Sequence, residues 1–425
     1  MEDVWGEIFS HLDPIDLSRC ERVNKEFYCR ARNAWSREKV LDTLHKRFQC
    51  VDETAIGALL DRTGERMDLI RLGRPSTSQL YTSNFRSSQL EIPSNLHFTG
   101  SHARKISQLY RLKRLRFHRM IITLNALEEM QNFPASLEDL TFFACRFEVF
   151  SLEEAELAEN SMIRLLEKCV KLKTFRIETR WCGWLKASRK LIAALPRSLS
   201  ELHLNLGDAP ELNNLDFIRS MNLTTLGVAQ NVFQANALST LLSMKCLKSL
   251  DLSNSRLIDD FTALGQIDSL RELNLSGCYS LFNRSFETIC MGCPRLIHLN
   301  IDACFRLTRL SLEKIAFLFN LECLSLSGIP AVNDSILVHI SGLAHIATLD
   351  LSKCPGITSL GVEWSLNSLP SLQFISLRGS SPSAQKCVTP IGSGIFVERD
   401  PLPVQFPTPP PAPTSWPPST VMISS

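Results

Sequence analysis

One spacing pattern constrains this chain more than any other feature. From Leu112 onward an apolar residue, two residues, an apolar residue, one residue and a further apolar residue recur. The series runs Leu112-Leu115-Phe117, Leu137-Leu140-Phe142, Leu172-Phe175-Ile177, Leu199-Leu202-Leu204, Leu223-Leu226-Val228 and Leu247-Leu250-Leu252. It continues Leu270-Leu273-Leu275, Leu296-Leu299-Ile301, Leu321-Leu324-Leu326, Ile346-Leu349-Leu351 and Leu372-Ile375-Leu377. A lone triplet carries little information, since Leu307-Leu310-Leu312 also fits and lies out of phase. The information is in the step, which stays at 23–27 residues apart from one of 35. The fourth and sixth positions are two apart, so in a strand they face one side. Each unit leaves that edge open until the next unit covers it, which predicts a solenoid with a ladder of parallel strands. Apolar residues at helical spacing lie between triplets, as over Phe286 to Met291 and Ile336 to Ile340, with Ser285 and Asp334 as expected N-caps. The predicted fold class is α/β, with strands inside and helices outside.

Composition agrees with a folded array. Leucine supplies 65 of 425 residues, the kind of excess that repeat architectures show. Lys and Arg number 46 against 44 Asp and Glu, which argues against a protein built to coat nucleic acid or an anionic membrane. No run of about 18 apolar residues occurs, so no membrane span is expected. The opening MEDVWGEIF has neither the basic start nor the apolar run of a signal peptide, and Ile423-Ser424-Ser425 is not a prenylation box. The 14 Cys are accordingly expected to be reduced thiols, in the cytoplasm or nucleus.

Cys145, Cys278, Cys304 and Cys354 each follow the first position of their triplet by eight residues, and Asn231 holds that offset in another unit. The leucine-rich repeat has Asn or Cys there, buried in the turn that leaves the strand. Residues 110 to 380 thus resemble the cysteine-containing leucine-rich repeat. Cys293-Pro294-Arg295-Leu296 matches its Cys-Pro ending; Leu369-Pro370-Ser371-Leu372 lacks the Cys.

The head of the chain differs. Val4, Ile8, Phe9 and Leu12 are spaced as a short amphipathic helix, broken at Asp13-Pro14. Asp16 is the expected cap of a second helix bearing Leu17, Cys20 and Val23, with Phe27, Ala31 and Trp35 beyond. So short a module buries little surface and should seek a partner. The run Ile8-Phe9-Ser10-His11-Leu12-Asp13-Pro14-Ile15-Asp16-Leu17, followed by Arg19-Cys20, Val23-Asn24-Lys25 and Phe27, resembles an F-box. That resemblance implies docking on the adaptor Skp1. By matching position it implies an adaptor-facing set of Val4, Ile8, Leu12, Pro14, Leu17 and Val23, with Phe9, Phe27 and Trp35 serving either that interface or the module's own packing. The family's opening Leu-Pro is absent, and Phe27 and Asn24 stand where Trp and Cys are usual. The competing reading of the head is a helical cap on the open end of the solenoid.

Expected boundaries are an F-box over 1–45, a linker or irregular first repeats over 46–110, repeats over 111–380 and a disordered Pro-rich tail over 381–425. Met67-Ile70-Leu72 resembles another triplet, while Pro75 to Phe85 is Ser/Thr-rich. The segment Pro407 to Pro413 reads as polyproline II, either an SH3 or WW ligand or a solvated tail.

Several groups invite a chemical reading. Cys290 and Cys293 form a CxxC, but no second pair lies at zinc-finger spacing and the repeat phase accounts for both. Trp181-Cys182-Gly183-Trp184 lacks a second Cys and suits an exposed insertion, its Trp residues packed or serving as partner anchors. Arg104 to Arg119 holds seven Lys or Arg. Of these Arg114 and Arg116, with His118, point to the concave face, to grip an acidic segment or phosphate or to form a solvated edge. RNA binding is a weaker reading, because Tyr110 and Phe117 are the only aromatics there and Phe117 is a core position. Further concave candidates are Arg176, His203, Asp251, Asn274, Asn300, Asp302 and Asp350, beside the small Ser253, Ser276, Ser325 and Ser352. Together they suggest positive charge early and a mildly acidic floor later.

No nucleophile–base arrangement or phosphate loop is visible, and no metal or cofactor is expected. The resemblances together imply a non-catalytic substrate-recognition subunit of a Skp1–cullin–F-box ubiquitin ligase. Skp1 would link it to the cullin–RING core, and the repeats would hold an unknown protein substrate, with no nucleic acid or membrane partner. The alternative is a leucine-rich-repeat scaffold independent of any ligase.

Overall fold

The computed structural model describes residues 8, 12, 14–23, 25–35, 39–44, 52–63, 67–73, 96–178, 189–205, 212, 214–234, 237–257, 261–387 and 394–400. Val4, Phe9, the Trp181–Trp184 segment, Pro75 to Phe85 and Pro407 to Pro413 lie outside the described residues.

Among the described residues the head carries helices α1 (Pro14–Cys20) and α2 (Lys25–Trp35). A sheet of 14 strands among the described residues follows, each pairing in parallel with the next repeat's strand. Its strands are β1 (Val40–Asp42), β2 (Leu69–Gly73), β3 (Arg114–His118), β4 (Asp139–Phe143), β5 (Thr174–Glu178), β6 (Glu201–Asn205) and β7 (Thr225–Gly227). They continue as β8 (Ser249–Asp251), β9 (Glu272–Asn274), β10 (His298–Asn300), β11 (Cys323–Ser325), β12 (Thr348–Asp350), β13 (Phe374–Ser376) and β14 (Phe396–Glu398).

Register explains the triplet. Its fourth positions are direct cross-strand partners, as in Leu115↔Leu140, Leu273↔Leu299 and Leu349↔Ile375. They form one buried row through the array. Phe117 and Phe142, sixth positions of adjacent triplets, stack with centroids 5.1 Å apart; Phe98 meets Phe117 edge-on at 4.7 Å and Phe147 lies tilted against Phe142 at 5.6 Å, which makes one aromatic cluster.

Repeat length sets the outer element. The 35-residue step accommodates the 17-residue helix Leu152–Lys168, and the 23–24-residue steps allow only 3₁₀ turns such as Ala237–Ser243 and Thr262–Gln266. Ser151 begins the long helix with a capping box, accepting from Glu154 N at 3.1 Å while Glu154 accepts from Ser151 N at 3.2 Å. Three expected caps are corrected. Asn333, not Asp334, caps Asp334–Ile340, accepting from Ser335 N at 3.1 Å. Helix Asn283–Gly292 begins after Phe282, so Ser285 lies buried inside it. Asp16 lies within the first turn of α1 and pairs with Arg19 at 3.0 Å.

The buried turn after each strand explains the recurring Cys. Carbonyls there have lost water and need a donor. Cys278, Cys304 and Cys354 donate to Leu252 O, Leu275 O and Leu326 O of the preceding repeat at 3.1, 3.2 and 3.3 Å. Asn231 supplies its amide to Val228 O and Ala229 O, both at 3.1 Å. Burial pushes the Cys278 and Cys354 thiols up to about 12, so they stay protonated and inert. A second link joins the repeats: Ser136, Ser198 and Ser269, each just before a triplet, donate to Leu112 O, Leu172 O and Leu247 O of the preceding unit at 2.7 Å.

The array is longer than the expected 111–380. Strand β2 carries the Met67-Ile70-Leu72 triplet into the core, and β1 falls inside the stretch assigned to the head. At the other end helix Pro382–Gln385 and strand β14 add another layer, β14 pairing with β13 from Phe374↔Phe396 to Ser376↔Glu398. The expected boundary at 380 therefore moves to about residue 400, because Ile375 and its neighbours still need covering.

Candidate functional site

Two surfaces follow from this fold, the concave face of the sheet and the outer side of the helical head.

The third, fifth and seventh triplet positions face the concave side, where the structure divides the expected residues into two groups. The early cations are neutralised within the array. Arg114 pairs with Asp68 at 2.8 Å, Arg71 with Asp42 at 3.0 Å, and Arg116 with the buried Asp139. Arg176 donates to His203 Nε2 at 2.8 Å and lies 3.3 Å from Glu178 Oε1. Since Nε2 accepts, the His203 proton sits on Nδ1, 3.4 Å from Glu178. Gly227 permits this packing, since a Cβ there would lie 2.3 Å from His203 Nδ1. His118 packs against the Phe143 ring at 5.6 Å. The expected positive early face is thus corrected to a set of compensated pairs.

The later Asx residues have a structural role. After each strand the chain turns outward and one backbone N–H loses its ladder partner. Asp251, Asn274, Asn300 and Asp350 accept from Ser253 N, Ser276 N, Asp302 N and Ser352 N at 2.9, 3.0, 2.9 and 2.8 Å. Each bond spans two residues, so these side chains fasten strand ends before they meet any ligand. Asp302 is half-buried and accepts from Ser325 Oγ and, at 2.8 Å, from Ser327 N. Burial first, then the nearby Asp350, pushes its carboxyl up to about 7; burial also raises Asp350.

The CxxC cysteines belong to the core. Cys293 donates to Leu264 O at 3.3 Å, and burial raises both Cys290 and Cys293. Among the described residues no group of three or more His, Cys, Asp or Glu converges to hold a metal ion, and no helix is long and apolar enough to cross a membrane.

The head is pinned to the array. Glu21 is almost fully buried and pairs with Arg62, after helix Glu53–Leu60, at 2.8 Å and with Arg32 at 3.6 Å. Leu17, Ala31, Ala34 and Trp35 pack into a core shared with Leu41 of β1. Leu17, expected to face the adaptor, is 0% exposed and is corrected to a core residue. Leu12 and Phe27 are partly buried against the same core. Pro14 starts α1. Ile8 and Val23 are 44% and 60% exposed, and Tyr28 on α2 is exposed as well.

No family model matches the chain. A curated relative is the disease resistance protein RPP2A of Arabidopsis thaliana, 30% identical over 131 residues. The match takes in 26% of this chain and 10% of that protein, so the chain spans about a tenth of the relative's length. Among solved structures, the Rad7 and Elc1 complex of yeast aligns with a TM-score of 0.52 at 13% identity, over 72% of this chain and 80% of that one. An internalin (inlF) of Listeria monocytogenes gives 0.45 at 16% identity, over 84% and 92%. The Leptospira interrogans LRR protein LIC12759 gives 0.40 at 17% identity, over 87% and 98%. The likeness to the yeast complex is one of fold alone, a solenoid of parallel strands.

Proposed function

We propose that this leucine-rich-repeat protein is the substrate-recognition subunit of a Skp1–cullin–F-box ubiquitin ligase, working in the cytoplasm or nucleus. The head docks on Skp1, and through Skp1 on the cullin–RING core; the array holds a protein substrate. The chain makes and breaks no substrate bonds. Its contribution is proximity, since holding a substrate lysine near the charged conjugating enzyme raises its effective concentration.

One observation carries the reading. The F-box-like helices are locked to the first repeat through Leu17, Trp35 and Glu21 yet leave Ile8 and Val23 exposed. A rigid arm with an apolar outer face suits an adaptor-docked receptor. The Rad7–Elc1 likeness adds that a chain of similar fold is solved with a second protein. A second reading, the ligase-independent scaffold, has its own support: the burial of Trp35 against the array is what an end cap also needs.

Val23→Glu combined with Ile8→Glu separates the two. Both side chains are exposed, so folding should persist. Co-purification with Skp1 is expected to fall at least ~100-fold, the effect of burying two charges in an apolar contact. Full Skp1 binding by the variant would refute this docking face, and a parent chain that takes up no Skp1 would leave the scaffold reading standing.

A further inference from the structure

The third position of each triplet lies one residue before a buried core residue and therefore faces the concave side. In four successive strands it is Ser249, Glu272, His298 and Cys323, paired directly in register. Neighbouring strands lie about 4.8 Å apart, so these residues form one lateral row. They also lie against one another. Ser249 Oγ donates to Glu272 Oε2 at 2.8 Å, His298 Nδ1 lies 3.5 Å from Glu272 Oε1, and Cys323 is the direct cross-strand partner of His298. A sulfur beside an imidazole that a carboxylate orients is the arrangement that activates a thiol.

Position separates this cysteine from the others. Cys145, Cys278, Cys304 and Cys354 are sealed in turns and donate to carbonyls. Cys323 is half-buried on an open face. Burial works against charge on His298, but hydrogen bonds to Cys323 and Glu272 outweigh it and push its pKa up to about 9. At neutral pH it is therefore an imidazolium with a proton to give.

We propose that Cys323 is a peroxide-reactive thiol on the concave face, with His298 as its proton donor and Glu272 and Ser249 as positioning residues. The Cys323 thiol first loses its proton to solvent. Its sulfur then attacks one oxygen of hydrogen peroxide; an S–O bond forms and the O–O bond breaks. Sulfur loses two electrons, and the departing hydroxide takes the His298 proton and leaves as water. The product is a sulfenic acid. This inference does not depend on the ligase reading.

The test treats the full chain with hydrogen peroxide, traps sulfenic acid with dimedone and maps adducts by mass spectrometry. Cys246 and Cys29 are exposed and serve as references in the same sample. Cys323 is expected to trap ~10-fold faster than Cys246 despite its lower exposure. His298→Gln keeps a hydrogen-bonding side chain but cannot carry the proton, and should bring Cys323 down to the Cys246 rate. Glu272→Gln should give an intermediate rate, because the imidazole loses its orienting charge. A wild-type Cys323 no faster than Cys246 overturns the proposal, as does an unchanged rate in the His298 variant. Cys304 is sealed in the core and labels only if the chain unfolds. Should the variant fail that check, the wild-type comparison with Cys246 decides.

Discussion

Phe142→Ala is expected to lower the stability of the early repeats by about 3–5 kcal/mol. Phe142 is fully buried, stacks on Phe117 at 5.1 Å with the rings 10° from parallel, and meets Phe147 at 5.6 Å. Alanine removes the ring and leaves a cavity that strands fixed by register on both sides cannot close. Since each unit touches only its neighbours, the damage should stay local. Hydrogen exchange should show lost protection in Arg114–His118 and Asp139–Phe143, while Thr348–Asp350 and Phe374–Ser376 keep theirs. Urea unfolding followed by circular dichroism gives the magnitude. A loss below about 1 kcal/mol would mean that the aromatic stack is not what holds these repeats.

Asp302→Asn is expected to stabilise the protein above pH 7 and to do little below pH 4. The Asp302 carboxyl titrates at about 7 in the fold against an ordinary value of 3.8. Between those values the native state binds more protons than the unfolded chain, so this residue's contribution to stability falls as pH rises through that window. Above it the fold carries a half-buried, ionised carboxylate near Asp350. Asparagine keeps an acceptor for Ser325 Oγ and Ser327 N but takes no charge. The gain at pH 8 should be on the order of 2–4 kcal/mol. Thermal melts at pH 4, 5.5, 7 and 8 test this; a gain independent of pH would contradict it.

The leucine rows were legible because period-two alternation needs only the chain itself, and eleven repetitions fix the phase. The buried Cys and Asn were legible for the same reason. The ends were not. Val40–Asp42 is three residues long and belongs to no visible triplet, and β14 follows a shift toward proline. Both join the sheet because an open solenoid end must be covered. In the head, spacing marked Leu17 as apolar but not which way it faces, and the burial of Trp35 and Leu41 settles that it is core.

The concave face shows a different limit. Asp251-Leu252-Ser253, Asn274-Leu275-Ser276 and Asp350-Leu351-Ser352 repeat an Asx-Leu-Ser signal that marks strand-end capping, yet polarity alone made these residues look like ligand contacts. Arg114 and Arg116 read as free cations because Asp68 and Asp139 are 46 and 23 residues away, and register alone joins them. The Glu272–His298–Cys323 row was invisible for that reason too.

The ligase reading rests on the head meeting Skp1 directly. Titrating Skp1 into the purified chain by isothermal calorimetry, with the array's melt recorded on the same preparation, tests it most simply. The account predicts one Skp1 per chain, bound more tightly than about 1 μM. A cooperatively folded array that takes up no Skp1 would contradict it.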